Sequence, residues 1–160
     1  MAKVLLVASP GGHLVEILTV ARELADKHEC ILCTSRAQAM RGARFVGVAR
    51  VYYAPICLGM QMPFGILLSM LVELFVLLRV FLKERPDCII STGSIEAVPA
   101  FLINWLFFRR PALYLESLAR VRSRSQTGRL VKPLATRIFV QWPEVAAQFG
   151  PRGEYHGRLL

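Results

Sequence analysis

Residues 3–27 read KVLLVASPGGHLVEILTVARELADK, and the changes of pattern within them decide the fold. KVLLVA (3–8) is a short, continuous apolar run bounded by Ser9-Pro10-Gly11-Gly12, as expected of a strand covered on both faces. From Leu14 onward the apolar period becomes helical. Leu14, Ile17, Leu18, Ala21, Leu24 and Ala25 share one face, while Arg22, Glu23, Asp26 and Lys27 lie mostly away from it, so the spacing predicts an amphipathic helix over 14–27. Strand-like runs recur at 29–34, 49–54, 87–91, 112–116 and 137–141, separated by helical or irregular segments. This β-α-β alternation predicts an α/β, Rossmann-like doubly wound parallel sheet with the order 3-2-1-4-5. With 160 residues, 54% of them apolar, and no internal repeat or linker, the chain fits one compact domain over 1–160.

Twenty Lys and Arg against eleven Asp and Glu give a net charge of +9 and call for an anionic partner. A mean hydropathy of +0.45 points that partner toward an anionic membrane surface and away from nucleic acid, whose binders carry a polar basic face. Four cysteines (30, 33, 57 and 88) are few for a disulfide framework, and the opening residues read as a strand, so a reducing cytosol is expected. Cys30 and Cys33 form a C-x-x-C within a strand, where three-residue spacing points the sulfurs to opposite faces; core filling is expected of both.

PFGILLSMLVELFVLLRVFL (63–82) is almost long and apolar enough to span a bilayer. Strands before and after it in one sheet forbid a single crossing, and Glu73 and Arg79 add to the cost of insertion. A monotopic helix, partly immersed in the interface, is the expectation, with a wholly buried core helix as the alternative. The other apolar segment, AVPAFLINWLFF (97–108), is too short to supply a return crossing.

Strands one, four and five are neighbours in the expected order, so the loops leaving their carboxyl ends meet where ligands bind in such sheets. The first loop, Ser9 to His13, has Gly11 and Gly12 to let backbone amides approach a phosphate at a helix amino terminus. The third glycine of a dinucleotide fingerprint is missing, so no nicotinamide or flavin cofactor is expected. His13 reads either as a helix cap or as a base, with the helix dipole expected to disfavour its cation. The second loop carries Ser91, Thr92, Gly93 and Ser94, with Glu96 in the first helical turn beyond it. The third runs from Glu116 through Arg120, Arg122, Arg124, Ser125, Thr127 and Gly128. Its arginines suit either a diphosphate clamp or a solvated surface, and Glu116 either a general base or an ion pair. His13, His28 and His156 are scattered and lack carboxylates at ligand spacing, so no metal is expected.

GGHLVE (11–16), STGSIEAVPA (91–100) and YLESLARVRSRSQTGRLVKPLATRIFVQWPE (114–144) together resemble the asparagine-linked glycosylation protein 14 family and its bacterial PssD-type relatives. The resemblance implies the amino-terminal, acceptor-side half of a GT-B glycosyltransferase similar to MurG, with a separate protein 13-like subunit supplying the donor-binding half. It implies that a polyprenyl-diphosphate-linked sugar sits against Gly11, Gly12, Thr92, Gly93 and Ser94, and it maps the family's histidine and acidic residue to His13 and Glu116. The absence of a separate anchor before strand one favours a bacterial member, hence an undecaprenyl-diphosphate acceptor, a UDP-sugar donor and residence on the cytoplasmic face of the inner membrane. Docking of the donor subunit is expected at Gln141, Trp142 and Glu144 together with Leu159 and Leu160, although composition suits Trp142 and the two leucines equally to packing within the domain.

Overall fold

The computed structural model describes residues 1–35, 44–54 and 63–159, with backbone alone over 63–70. Cys57 and Leu160 lie outside the described residues. Among the described residues seven parallel strands form one sheet: β1 Ala2–Val7, β2 His28–Ser35, β3 Arg50–Ala54, β4 Cys88–Ser91, β5 Ala112–Leu115, β6 Arg137–Val140 and β7 Gly153–Tyr155. Their order is β3-β2-β1-β4-β5-β6-β7, so the expected 3-2-1-4-5 core is present and continues by two strands at one edge. β7 was not anticipated: three residues, two of them polar or glycine, give no period to read.

Both faces of the sheet are covered, which is why its strands are apolar without alternation. Leu5 and Val7 of β1 face a cluster built with Leu77 and Phe81 of α2 (Pro63–Glu84), Phe101 of α3 (Ala97–Ile103) and Phe149. Val4 and Leu6 face the opposite cluster, where α1 (Gly12–Leu24) contributes Leu14, Ile17 and Ala21. Each such fully buried side chain contributes about 1.5–3 kcal/mol. Cys30 joins the α1 side and Cys33 the α2 side, so the C-x-x-C sulfurs do diverge. Burial pushes the Cys33 thiol up to about 12, keeping it protonated and inert.

α1 starts two residues earlier and stops three residues sooner than its apolar spacing suggests. Gly11, at φ 104°, turns the chain so that its carbonyl already accepts from the amides of Leu14 and Val15. α2 joins β3 to β4, strands of the same sheet, so its two ends lie on one side of any membrane it touches. Among the described residues no helix is long and apolar enough to cross a bilayer. The inner face of α2 buries Glu73, Leu77, Val80, Phe81 and Glu84, while Leu71, Val72, Phe75 and Leu82 are exposed. Beside it, α3 runs into a π-helical turn (Asn104–Phe108) and ends at Arg109 in a left-handed conformation. The Asn104 side chain closes that turn by bonding both the amide and the carbonyl of Arg110.

Candidate functional site

The carboxyl ends of β1, β4 and β5 bring the three expected loops together. His13 and Thr92 clasp the first loop to the second: the His13 ring bonds the Thr92 carbonyl through Nδ1 at 2.8 Å, and the Thr92 hydroxyl donates to the His13 carbonyl at 2.7 Å. A carbonyl only accepts, so Nδ1 carries the proton and Nε2 is left as the ring atom able to take one. Gly93, at φ 119°, lies flat against the imidazole; a Cβ there would stand 2.6 Å from Cε1. Gly11 and Gly12 are exposed with open space around them, which leaves room for a ligand against their backbone.

The His13 pKa is raised above its ordinary 6.5. The adjacent Glu16 carboxylate is the main cause, opposed by burial and aided by the Thr92 carbonyl and the charge of Glu116. The expectation that the helix dipole would disfavour the cation is therefore corrected. A carboxylate one turn along the helix outweighs a dipole term of about 0.3–1 kcal/mol.

In the second loop, Ser94 adopts a left-handed conformation at φ 74° and lines the cleft. Its hydroxyl and that of Ser35 both donate to Glu96, so the Glu96 carboxylate braces the loop from beneath and is buried. Glu73 of α2 lies close by; burial, then the charge of Glu96, push its carboxyl up to about 7.

Glu116 is only 1% exposed. It accepts from the amide of Ser117 at 3.2 Å and from the amide and hydroxyl of Ser125 at 2.9 and 3.1 Å. Ser125 in turn caps α4 (Gln126–Val131) by accepting from the Gly128 amide at 2.9 Å. A Cβ on Gly128 would come within 2.6 Å of Glu116 Oε2, so glycine keeps that carboxylate seated. Buried and with both oxygens accepting from the loop, Glu116 organises the third loop and is not among the residues lining the cleft.

The cleft between these loops encloses about 540 Å³ and is lined by His13, Ser94, Arg120, Arg124, Ser125 and Thr127 of the expected residues. Arg129, Ser117, Ser123 and Gln126 add to its polar wall. Arg122 is exposed and is not part of that wall. The Arg124 guanidinium is partly committed, donating to the Gln148 carbonyl at 2.9 Å.

Glu16 escaped the sequence reading, although its i,i+3 spacing from His13 on a helix was the available signal. It is buried, and its Oε1 accepts from the Leu118 amide at 2.8 Å and the Ser117 hydroxyl at 3.2 Å. Gln141 is buried in the same network, donating to the Glu116 carbonyl and accepting from the Leu159 amide. Trp142 donates to the Leu118 carbonyl, and the Arg158 guanidinium lies 3.8 Å over its ring. Gln141, Trp142 and the backbone amide of Leu159, all expected at a partner interface, are thus engaged within this chain, whereas Glu144 is exposed in the first turn of α5 (Pro143–Phe149).

A profile described as "Oligosaccharide biosynthesis protein Alg14 like" matches residues 58–159. The UDP-N-acetylglucosamine transferase subunit ALG14 of Yarrowia lipolytica is 34% identical over 107 residues, covering 64% of this chain and 49% of that protein. The human subunit of the same name is 25% identical over an alignment covering 98% of this chain and 82% of its own length. Against the first fungal relatives the chain spans half of their length or less. Among solved structures, Acinetobacter baumannii MurG superposes with a TM-score of 0.77 at 16% identity, covering 97% of this chain and 45% of MurG. The UDP-N-acetylglucosamine 2-epimerase of Rickettsia bellii follows at 0.73 and 14% identity. At such identities the likeness is one of fold.

Proposed function

Because the chain belongs to the Alg14-like family of oligosaccharide biosynthesis proteins, we propose that it is the acceptor-binding subunit of a two-component glycosyltransferase. Its partner is a donor-binding, protein 13-like subunit that supplies a UDP-sugar. The acceptor is a sugar linked to a polyprenyl diphosphate, undecaprenyl in a bacterial setting, held at the cytoplasmic face of the membrane. The word "subunit" in the relatives' names supports a partner, and "UDP-N-acetylglucosamine" makes that nucleotide sugar the first donor to try.

One observation carries the reading: His13 lines an arginine- and hydroxyl-rich cleft with Nδ1 tied to Thr92 and Nε2 left to accept a proton. In the proposed reaction an acceptor hydroxyl loses its proton to Nε2 as its oxygen attacks the anomeric carbon, with inversion and departure of the nucleoside diphosphate. Arg120, Arg129 and the open backbone at Gly11 and Gly12 hold the acceptor diphosphate, fixing the hydroxyl near that carbon. The partner docks through Glu144 and the segment around Leu159, beside the cleft. Co-expression with the donor-binding subunit, followed by assay of UDP-sugars on polyprenyl-diphosphate-linked sugars, is expected to give transfer only when both chains are present. Transfer by the partner alone at the same rate overturns the assignment.

Membrane attachment through α2 and the turn after α3 belongs to the same proposal. Phe75 and Leu82 on α2, and Trp105, Leu106 and Phe107 on the turn, are exposed apolar side chains, and Phe81 and Phe108 stack between the two elements. Arg79, Lys83, Arg109 and Arg110 flank them, exposed, as suits an anionic lipid surface. The double substitution Phe75→Ser and Phe107→Ser is expected to leave the thermal midpoint unchanged and to abolish flotation with anionic vesicles. Undiminished flotation would place attachment elsewhere.

A further inference from the structure

Within the proposed reaction, we propose that Glu16 is the positioning residue for His13, a buried carboxylate that orients the imidazole and stabilises its cation once the ring has accepted a proton. The inference rests on the reading of His13 as the base.

The two oxygens of Glu16 are differently engaged. Oε1 is held by the Leu118 amide and the Ser117 hydroxyl, with the Gln141 side-chain amide at 3.5 Å, so the third loop fixes where this carboxylate sits. Oε2 is buried, stands 3.8 Å from His13 Nδ1, and accepts no hydrogen bond among the described residues. If the only task of Glu16 were to tie the third loop to α1, Oε1 would suffice, and an amide would do as well as a carboxylate. A buried, charged oxygen without a donor is unfavourable. Here it faces the one ring in the cleft that becomes positive when it takes a proton.

The Nδ1–H bond to Thr92 sets the tautomer, Gly93 sets the ring plane, and Glu16 supplies the opposite charge. When the acceptor oxygen forms its bond to the anomeric carbon, its proton and the positive charge pass to the His13 ring; Glu16 remains a carboxylate throughout. The groups acting on His13 are Glu16 from α1, the Thr92 carbonyl from the second loop and Glu116 from the end of β5, while Arg120, Arg124 and Arg129 line the same cleft. Only Glu16 combines proximity along the helix with an oxygen not already engaged. The raised His13 pKa is the behaviour such a pair produces.

The test compares wild type, Glu16→Gln and His13→Ala in the two-subunit complex, with two readouts. The first is the pH dependence of kcat and KM. The second is an NMR titration of histidine-labelled chain, in which His13 is identified among the three histidines by its loss in His13→Ala. Glutamine keeps the Oε1 acceptor, so Glu16→Gln is expected to retain the thermal midpoint, to lower the His13 pKa, and to move the acidic limb of the rate profile to lower pH. Turnover is expected to fall about 10-fold to 100-fold with little change in KM, less than removal of a full general base can cost. An unchanged His13 pKa and kcat in Glu16→Gln, with His13→Ala inactive, overturns the inference and leaves the proposed function standing. Full activity of His13→Ala overturns the base assignment instead. Should Glu16→Gln not fold, the wild-type titration decides: the Glu16 carboxyl carbon must shift at the His13 midpoint, and no linked shift overturns the pairing.

Discussion

Replacing His13 with alanine is expected to reduce turnover of the two-subunit complex by about 100-fold to 10,000-fold, the range a general base contributes. The fold should tolerate the change. His13 is only partly buried and loses one hydrogen bond to Thr92, worth about 0.5–1.5 kcal/mol. The pH profile gives an independent check. A base works as the neutral ring, so the wild-type rate should climb as pH rises through the raised His13 pKa. A ring acting instead as a cation that holds the diphosphate would give a rate falling over the same window. The stability linkage runs the other way. Because the folded-state pKa lies above the ordinary 6.5, the His13–Glu16 contact stabilises the fold fully below that value and loses its effect as pH rises through the folded pKa. Glu116→Gln should show the contrasting pattern, a lower thermal midpoint preceding any loss specific to chemistry, because an amide nitrogen would face amides now served by a carboxylate oxygen. If His13→Ala turns over at the wild-type rate with saturating acceptor, the chain is a scaffold for its partner and the mechanism fails.

Gly93→Ala is expected to be nearly as severe for turnover and worse for stability. At φ 119° an alanine is strained whatever surrounds it, at a cost of about 1–3 kcal/mol. Its methyl would also stand 2.6 Å from Cε1 and 2.8 Å from Nδ1 of His13. The ring can retreat only by giving up its bond to the Thr92 carbonyl, which undoes the tautomer on which proton acceptance depends. Gly12→Ala is the matched control for stability alone, since nothing stands within 4 Å of a Cβ there and its φ is not positive, while its methyl would enter the space proposed for the diphosphate. Thermal melts of the two variants check the strain, and turnover of Gly93→Ala against wild type checks the seat of the ring. Equal melts together with wild-type turnover in Gly93→Ala would mean that the ring's seat on Gly93 does not matter.

The sheet was legible because its strands are buried on both sides and its central helix has a clean apolar stripe. Leu5 and Val7 against Val4 and Leu6 turned out to serve opposite layers, as a continuous apolar run implies. The loops that would meet were also legible, since the order of β1, β4 and β5 follows from the alternation of elements. What each polar group does there was not, because burial depends on neighbours distant in sequence. Glu116 looked available for chemistry until Ser125, nine positions on, was seen folded back onto it. Glu16 looked like one more charge on an amphipathic helix, yet the Leu118 amide and the Ser117 hydroxyl, about a hundred positions away, hold its Oε1 beside His13, whose pKa Glu16 raises. The same holds for Trp142, which composition left equally suited to an interface or to internal packing and which Arg158 and Leu118 engage.

The place of β1 in the sheet also bears on how the chain is made. β1 pairs with β2, which follows it closely, and with Cys88–Ser91 of β4, which follows only after the long α2. At roughly 5–20 residues per second on the ribosome, the second edge of β1 waits several seconds for its partner. During that interval an apolar strand already paired on one side presents a row of unsatisfied amides and carbonyls on the other, the arrangement most prone to joining the wrong strand. The residues that emerge in the meantime are those of α2, whose Leu77 and Phe81 pack on the β1 face that carries Leu5 and Val7. A ribosome slowed at any point before β4 has left the exit tunnel therefore lengthens the exposure of that edge, and one slowed later does not.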